Sequence, residues 1–118
     1  MTVYVDDMYL YQVGRFGRMK MSHLIADTHD ELLEIARMIG VDPKWIQHAG
    51  TADEHFDIAK AKRTAAIAAG AVAITYRQCG AMNMRRRVTG SLGSPADAEQ
   101  WASAHFANRK IGGRDARD

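Results

Sequence analysis

Cysteine is almost missing from this chain: Cys79 stands alone. That excludes an intramolecular disulfide framework and a cysteine-built zinc site, and it fits a reducing compartment. No uninterrupted apolar stretch reaches bilayer-spanning length, and the residues after Met1 form a polar-studded run, not the apolar core of a signal peptide. An excess of one charge is lacking as well. Sixteen Lys and Arg stand against 14 Asp and Glu, a formal net charge of +2, which is too small to mark a nucleic-acid binder by composition. Any such case has to come from how the basic residues cluster. Internal repeats are absent. What remains is 118 residues, 47% hydrophobic and 25% charged, enough for one hydrophobic core and too few for a second. The expectation is a soluble, cytoplasmic protein with no membrane association.

Thr2 to Val5 is a β-branched and aromatic run that stops at Asp6-Asp7, as a first strand does. Residues 8–20, punctuated by Gly14 and Gly17 and carrying Arg15, Arg18 and Lys20, read as an excursion. His23 to Ala26 reads as a second strand ending at Asp27. Thr28 with Glu31 three residues on is a capping box, and Leu32, Ile35, Ala36 and Ile39 follow at helical spacing, predicting a helix over 28–39. Asp42-Pro43 repeats the start signal for a short helix to about Gln47. A third helix is expected to begin within 53–56 and run through Ala69, because Ile58, Ala61, Ala65 and Ala69 lie near one stripe. Val72 to Tyr76 then reads as a central third strand. Residues 77–93 lose periodicity, hold Arg85-Arg86-Arg87, and read as a mobile loop. Ser94-Pro95 starts a last helix with Trp101 and Phe106, and residues 108–118 read as a flexible tail.

This order predicts an α/β fold: a single domain over residues 1–107, with a small, mostly parallel sheet of three or four strands flanked by helices. With parallel strands, Asp6, Asp7 and Asp27 end strands at the rim where the helix beginning at His55-Phe56-Asp57 starts, and Arg77 follows the third strand there. Open α/β sheets bind ligands at that edge.

The candidate catalytic residues are therefore Asp6, Asp7, His23, Asp27, His55 and Asp57. Carboxylates suit oxygen-loving Mg or Mn, which assigns Asp6, Asp7 and Asp57 as metal ligands, while an imidazole at His23 or His55 can move protons near neutral pH. Arg18, Lys62, Arg63 and Arg77 are the candidates for neutralising phosphate. Plainer readings stand beside these. Paired aspartates commonly end a strand in a turn, Asp27 can be a turn residue, His23 a satisfied histidine, and Lys60 and Arg63 a solvated helix face. His29, His48 and His105 read as surface positions. Gly14-Arg15-Phe16-Gly17-Arg18 matches no phosphate-loop pattern. Tyr4-Val5-Asp6-Asp7 reproduces a reverse-transcriptase signature, but that signature belongs to a hairpin inside a much longer domain.

Tyr4-Val5-Asp6-Asp7-Met8, Gly17-Arg18-Met19 leading to Met21-Ser22-His23, Ile25-Ala26-Asp27-Thr28 with Glu31-Leu32, and His55-Phe56-Asp57 with Lys62-Arg63, Ala69-Gly70-Ala71 and Arg77-Gln78 together resemble the bacterial and phage family called domain of unknown function 4031. The resemblance covers residues 1–78. It implies a bacterial or phage protein, in the host cytoplasm if phage-encoded, and sharpens the list of positions without naming a reaction. The excursion between Asp7 and Ser22 is longer than expected for the family, and the arginine-rich segment after Gln78 reads as an addition.

Two classes of function fit this pattern. One is a metal-dependent hydrolase or nuclease acting on a phosphate-bearing small molecule or a nucleic acid. The other is a non-catalytic module that binds nucleic acid or a host protein, as an accessory or anti-defence factor does. Metal dependence separates them from binding that persists in chelator and falls with salt.

Overall fold

The structure is a computed structural model that describes residues 2–117, with side chains described through Asn108. Its strands are β1 (Val3–Val5), β2 (Arg15–Phe16), β3 (Met19–Ala26), β4 (Phe56–Ala59) and β5 (Val72–Ala73), and its helices are α1 (His29–Met38), α2 (Lys60–Ala68), α3 (Tyr76–Thr89) and α4 (Ala98–Arg117). Short 3-10 turns at Met8–Leu10, Gln12–Gly14, Pro43–Trp45 and Pro95–Asp97 complete the chain. The tail expected over residues 108–118 falls largely on side chains outside the described residues.

β3 is the spine of the five-stranded sheet. Its Leu24 pairs with Val5 of β1 on one side and with Phe56 of β4 on the other, and β5 joins the far edge of β1. β2 folds back on the start of β3 as a tight hairpin. Among the described residues only β1 and β5 pair in parallel; the other strand pairings are antiparallel. The sheet is thus mixed, which corrects the expectation of a mostly parallel one. β1, β4 and β5 share one direction and β3 opposes them, so the helical crossover sought between the second and third predicted strands joins β4 to β5 through α2.

β4 is one element the sequence reading does not find, as are the short β2 within the expected excursion and α3. Phe56 and Ile58 are buried and alternate with Asp57 and Ala59, the period of a strand, but four residues directly ahead of an alanine-rich helix were absorbed into that helix. α2 has no side-chain cap, so nothing local marks where it starts. β5 is shorter than expected and lies at the sheet edge, not its centre.

Residues 77–93 are also not a loop. Thr75 and Gln78 form a reciprocal capping box, with Gln78 N donating to Thr75 Oγ1 at 3.0 Å and Thr75 N donating to Gln78 Oε1 at 2.8 Å. Cys79, Ala81 and Met82 bury against the sheet, and Gly90, at φ 87°, ends the helix in the left-handed conformation that glycine adopts freely. The arginine run is an anchor. Arg86 donates to the carbonyls of Ala26 and Ala52, Arg85 pairs with Asp97, and Arg87 pairs with Asp53.

The two sheet faces build separate clusters. On one, Val5, Leu24, Ala26, Phe56 and Ile58 pack against Leu32, Ile35, Ala36 and Ile39 at α1 and Ala66 of α2. On the other, Tyr4 and Ile25 pack against Cys79, Ala81 and Met82 of α3, with Leu92 and Ala98.

Candidate functional site

Strand alternation puts chemistry on the second face. Tyr4 faces α3, so Asp6, two residues on, emerges on the same side; Ile25 faces α3, so His23 does too; Phe56 and Ile58 face away, so His55 and Asp57 do not. Register completes the meeting. His23 lies opposite Asp57 across β3 and β4, and Asp6 N donates to the His23 carbonyl at 3.0 Å on the other side. α3 begins just here, and the Tyr76 ring stacks on His23 with centroids 6.0 Å apart.

Asp6 is 0% exposed. A buried carboxylate is tolerable only when donors surround it, and this one has three. Oδ1 accepts from Met8 N at 3.1 Å and His23 N at 2.8 Å, and Oδ2 lies 2.8 Å from His23 Nδ1. An ionised carboxylate only accepts, so His23 carries its proton on Nδ1 and turns Nε2 outward, 3.7 Å from Asp57 Oδ1. His55 is fixed in the same way: Nδ1 donates to the Asp53 carbonyl at 2.7 Å, leaving Nε2 at 3.5 Å from that same Asp57 oxygen. The two rings meet edge to face at 4.9 Å. Asp57 Oδ2 accepts from Gln47 Nε2 at 2.5 Å.

Charge follows this geometry. Burial pulls the His55 pKa down, but the hydrogen bond and charge of Asp57, with the Asp53 carbonyl, outweigh it and leave the imidazole raised above its ordinary value. The His55 hydrogen bond holds Asp57 below the usual carboxylate range against the opposing effect of burial.

One ligand atom each from His23, His55 and Asp57 lies within 4.8 Å of the others. Ligands about 2.0–2.2 Å from a tetrahedral zinc ion sit roughly 3.3–3.6 Å apart, so the 3.5 and 3.7 Å separations at Asp57 need little movement to close on a cation. In a second cluster, Asp6, His23 and Cys79, the carboxylate and the thiol are buried and His23 is partly buried. Burial pushes the Cys79 thiol well above its ordinary pKa, which keeps it protonated and a poor ligand.

Four of the six candidate catalytic residues therefore converge: Asp6, His23, His55 and Asp57. Asp7 accepts from Tyr76 N at 2.6 Å, so its carboxylate holds the start of α3 beside the site and does not join the cluster. Asp27 lies at the opposite end of the sheet, accepting from Thr2 N at 3.0 Å, because β3 runs against β1. Asp6, Asp7 and Asp57 do not surround one point, since the first holds His23 and the second caps α3. Of the phosphate candidates, Arg63 borders the site. Its Nε donates to the Asp6 carbonyl at 2.8 Å and its guanidinium lies over the Tyr9 ring, which Lys60 also approaches. Lys62 instead donates to the Ile39 carbonyl behind α1. Arg77, 85% exposed, pairs with Glu99, and Arg18 is exposed in the turn between β2 and β3.

Sequence reasoning missed Gln47, the Asp53 carbonyl, Tyr9 and Tyr76. Gln47 bridges to His55 as an isolated β pair, a contact between loop residues that leaves no periodic trace. His48 is exposed, as expected, with its ring 5.9 Å from that of His55.

Residues 3–87 match the family described as Protein of unknown function (DUF4031), and the chain belongs to it. That match extends through Arg87, so the arginine-bearing α3 is part of the family region and not an addition. No curated protein and no solved structure matches the chain.

Proposed function

We propose that this member of a family of unknown function holds a divalent first-row metal ion at His23, His55 and Asp57 and hydrolyses a phosphate ester there. The observation that carries the reading is the state of the two imidazoles. Each has Nδ1 already donated, one to a buried carboxylate and one to a backbone carbonyl, which is how ligating histidines are oriented and made more basic. Both Nε2 atoms then face one carboxylate. A hydrogen-bonded network of purely structural purpose needs a second proton on at least one ring, whereas a cation takes that proton's place.

Two nitrogens and one carboxylate favour zinc, or manganese or iron, over magnesium, which prefers oxygen ligands throughout. Three protein ligands leave positions for water and substrate, and a cation there supplies Lewis acidity and an activated water. In the net reaction the water oxygen bonds to phosphorus, the ester P–O bond breaks, and the leaving alcohol takes up the proton that water gives up. Asp6 and the Asp53 carbonyl hold the rings, and Gln47 orients Asp57. The terminal nitrogens of Arg63, with Lys60 and the groove-lining Arg15, provide positive charge for the phosphate.

Calorimetric titration of the chelator-treated protein with zinc, followed by turnover of p-nitrophenyl phosphate, tests this. One site per chain is expected, with affinity lowered by about 10-fold or more in His23→Gln, His55→Gln and Asp57→Asn and turnover lost in parallel. Failure of the wild type to bind zinc or manganese, or equal binding by all three variants, overturns the proposal.

A further inference from the structure

We infer that the groove beside this site holds the planar base of a nucleoside phosphate; the inference deepens the proposed function by naming the substrate class, and it rests on that reading for the position of the phosphate. β3 alternation continues from His23 to Met21 and Met19 on the same face. α3 and α4 cover Tyr4 and Ile25 on that face, whereas the stretch in front of Met19 and Met21 opens into a cavity of about 620 Å³, within the usual range for small-molecule sites. Asp57 and Gln47 form part of its wall. Whatever fills it therefore touches the carboxylate of the metal set.

The rest of the lining narrows the chemistry. Trp45 is 65% exposed and Phe16 76%, so large aromatic surfaces face water directly beside a polar site, the usual sign of a ligand or partner surface. Arg15, Gln47 and Asp57 are the polar members of an otherwise apolar lining that includes Met8, Met19 and Met21. An acyl chain would offer no hydrogen bond to Arg15 or to the amide oxygen of Gln47. A heteroaromatic ring stacks on aromatic and thioether surfaces and offers edge donors and acceptors to Arg15 and Gln47. The wall is also fixed in place. Gly14 packs so closely that a Cβ there would collide with backbone atoms of Met8 and Met21, which holds the excursion down on β3. On the other side Asp42 caps the Pro43–Trp45 turn through Lys44 N at 3.0 Å, and Lys44 Nζ lies 5.1 Å from the Trp45 ring centre.

The test uses the full chain in chelator, with adenosine monophosphate, ribose 5-phosphate and inorganic phosphate as probes. Trp45 emission is read in a Trp101→Phe background, and heats are read by calorimetry. The nucleotide is expected to quench Trp45 and to bind roughly 5- to 150-fold tighter than ribose phosphate, the range that base stacking supplies. Trp45→Ala and Phe16→Ala, both at exposed positions, should remove that advantage while leaving zinc affinity and melting temperature unchanged. Equal binding of nucleotide and ribose phosphate overturns the inference, as does insensitivity to both variants. Tighter binding of decyl phosphate, or a dimer lost on Trp45→Ala, overturns it in favour of an acyl chain or a second copy. The wild type separates the two readings: nucleotide binding in chelator with no zinc binding sinks the metal and keeps the groove, and zinc binding without nucleotide binding does the reverse, while His55→Gln is expected to lose zinc affinity and keep nucleotide binding in chelator.

Discussion

The two faces of the sheet are built from the same strands by the same alternation, yet one is closed and the other interrupted. On the α1 and α2 side Val5, Leu24, Ala26, Phe56 and Ile58 are apolar and buried, with Ser22 the buried polar residue in phase with them on β3. On the α3 and α4 side the apolar residues Tyr4 and Ile25 give way to Asp6, His23 and Asp57 before apolar side chains resume at Met21 and Met19. A sheet can carry a polar constellation on one face when the other holds it together. Stability and chemistry should therefore divide by residue parity, even along one strand.

β4 offers the largest effect and the sharpest version of this comparison. Phe56 is 0% exposed in the closed face, and Phe56→Ala is expected to cost about 3–5 kcal/mol by leaving a cavity. Asp57→Asn, one residue on and facing the other way, should leave chemical denaturation within about 1 kcal/mol of wild type while lowering zinc affinity about 10-fold or more. Urea melts of both variants decide it. A large loss from Asp57→Asn would mean that the polar face braces the fold, and the division by parity would fail.

Arginines divide along a similar line. Arg86 reaches the carbonyls of Ala26 and Ala52 from α3, so Arg86→Met removes the donors to two carbonyls on neighbouring segments and should destabilise by about 1–3 kcal/mol. Arg77→Ala breaks only an exposed pair with Glu99 and should fall within about 0.5 kcal/mol of wild type. Similar melts for both variants would contradict the anchoring role given to α3.

Much of this was legible in the sequence, and the failures have physical causes. α1 announced itself because Thr28 and Glu31 act locally: Glu31 N donates to Thr28 Oγ1 at 3.2 Å, and Thr28 Oγ1 donates to Glu31 Oε1 at 2.8 Å. α3 carried an equally local signal in Thr75 and Gln78, but its arginines masked the buried Cys79 and Met82. β4 failed for a different reason: four residues hold too few periods to separate a strand from the first turn of the helix that follows. At the site, Asp6, His23, His55 and Asp57 were visible as residues, but the argument that joined them was wrong. It relied on parallel strand ends, whereas cross-strand register between β3 and its antiparallel neighbours β1 and β4 is what aligns them. The same error drew in Asp27, which antiparallel pairing sends to the other end.

Asp6 separates holding from ligating. Asp6→Asn keeps the shape but replaces a carboxylate that only accepts with an amide that also donates. His23 then loses the charge that fixes its Nδ1 proton, and zinc affinity should fall about 10- to 100-fold with stoichiometry unchanged. Calorimetry reads both quantities. An unchanged affinity would leave Asp6 as a turn former and remove the strongest support for His23 as a ligand.

The smallest expected effect is on pH dependence, and it concerns the sign more than the size. The His55 pKa is raised in the folded protein, so its contribution to stability is fully present below the unfolded value of about 6.5 and is lost as pH rises through the folded value. Asp57 is lowered, so its contribution is present above the unfolded value of about 3.9 and is lost as pH falls through the folded one. Without metal, the pair therefore stabilises most between those limits, and the melting temperature should decline as pH is taken from 6 to 8. Zinc reverses the trend, because a proton on His55 Nε2 and a cation compete for the same lone pair. The increase in melting temperature on adding zinc should accordingly grow over the same interval. His55→Gln should flatten both curves. Opposite slopes in chelator and in zinc, both lost in that variant, would identify His55 as the group that exchanges a proton for the metal; parallel slopes would mean that zinc binds elsewhere.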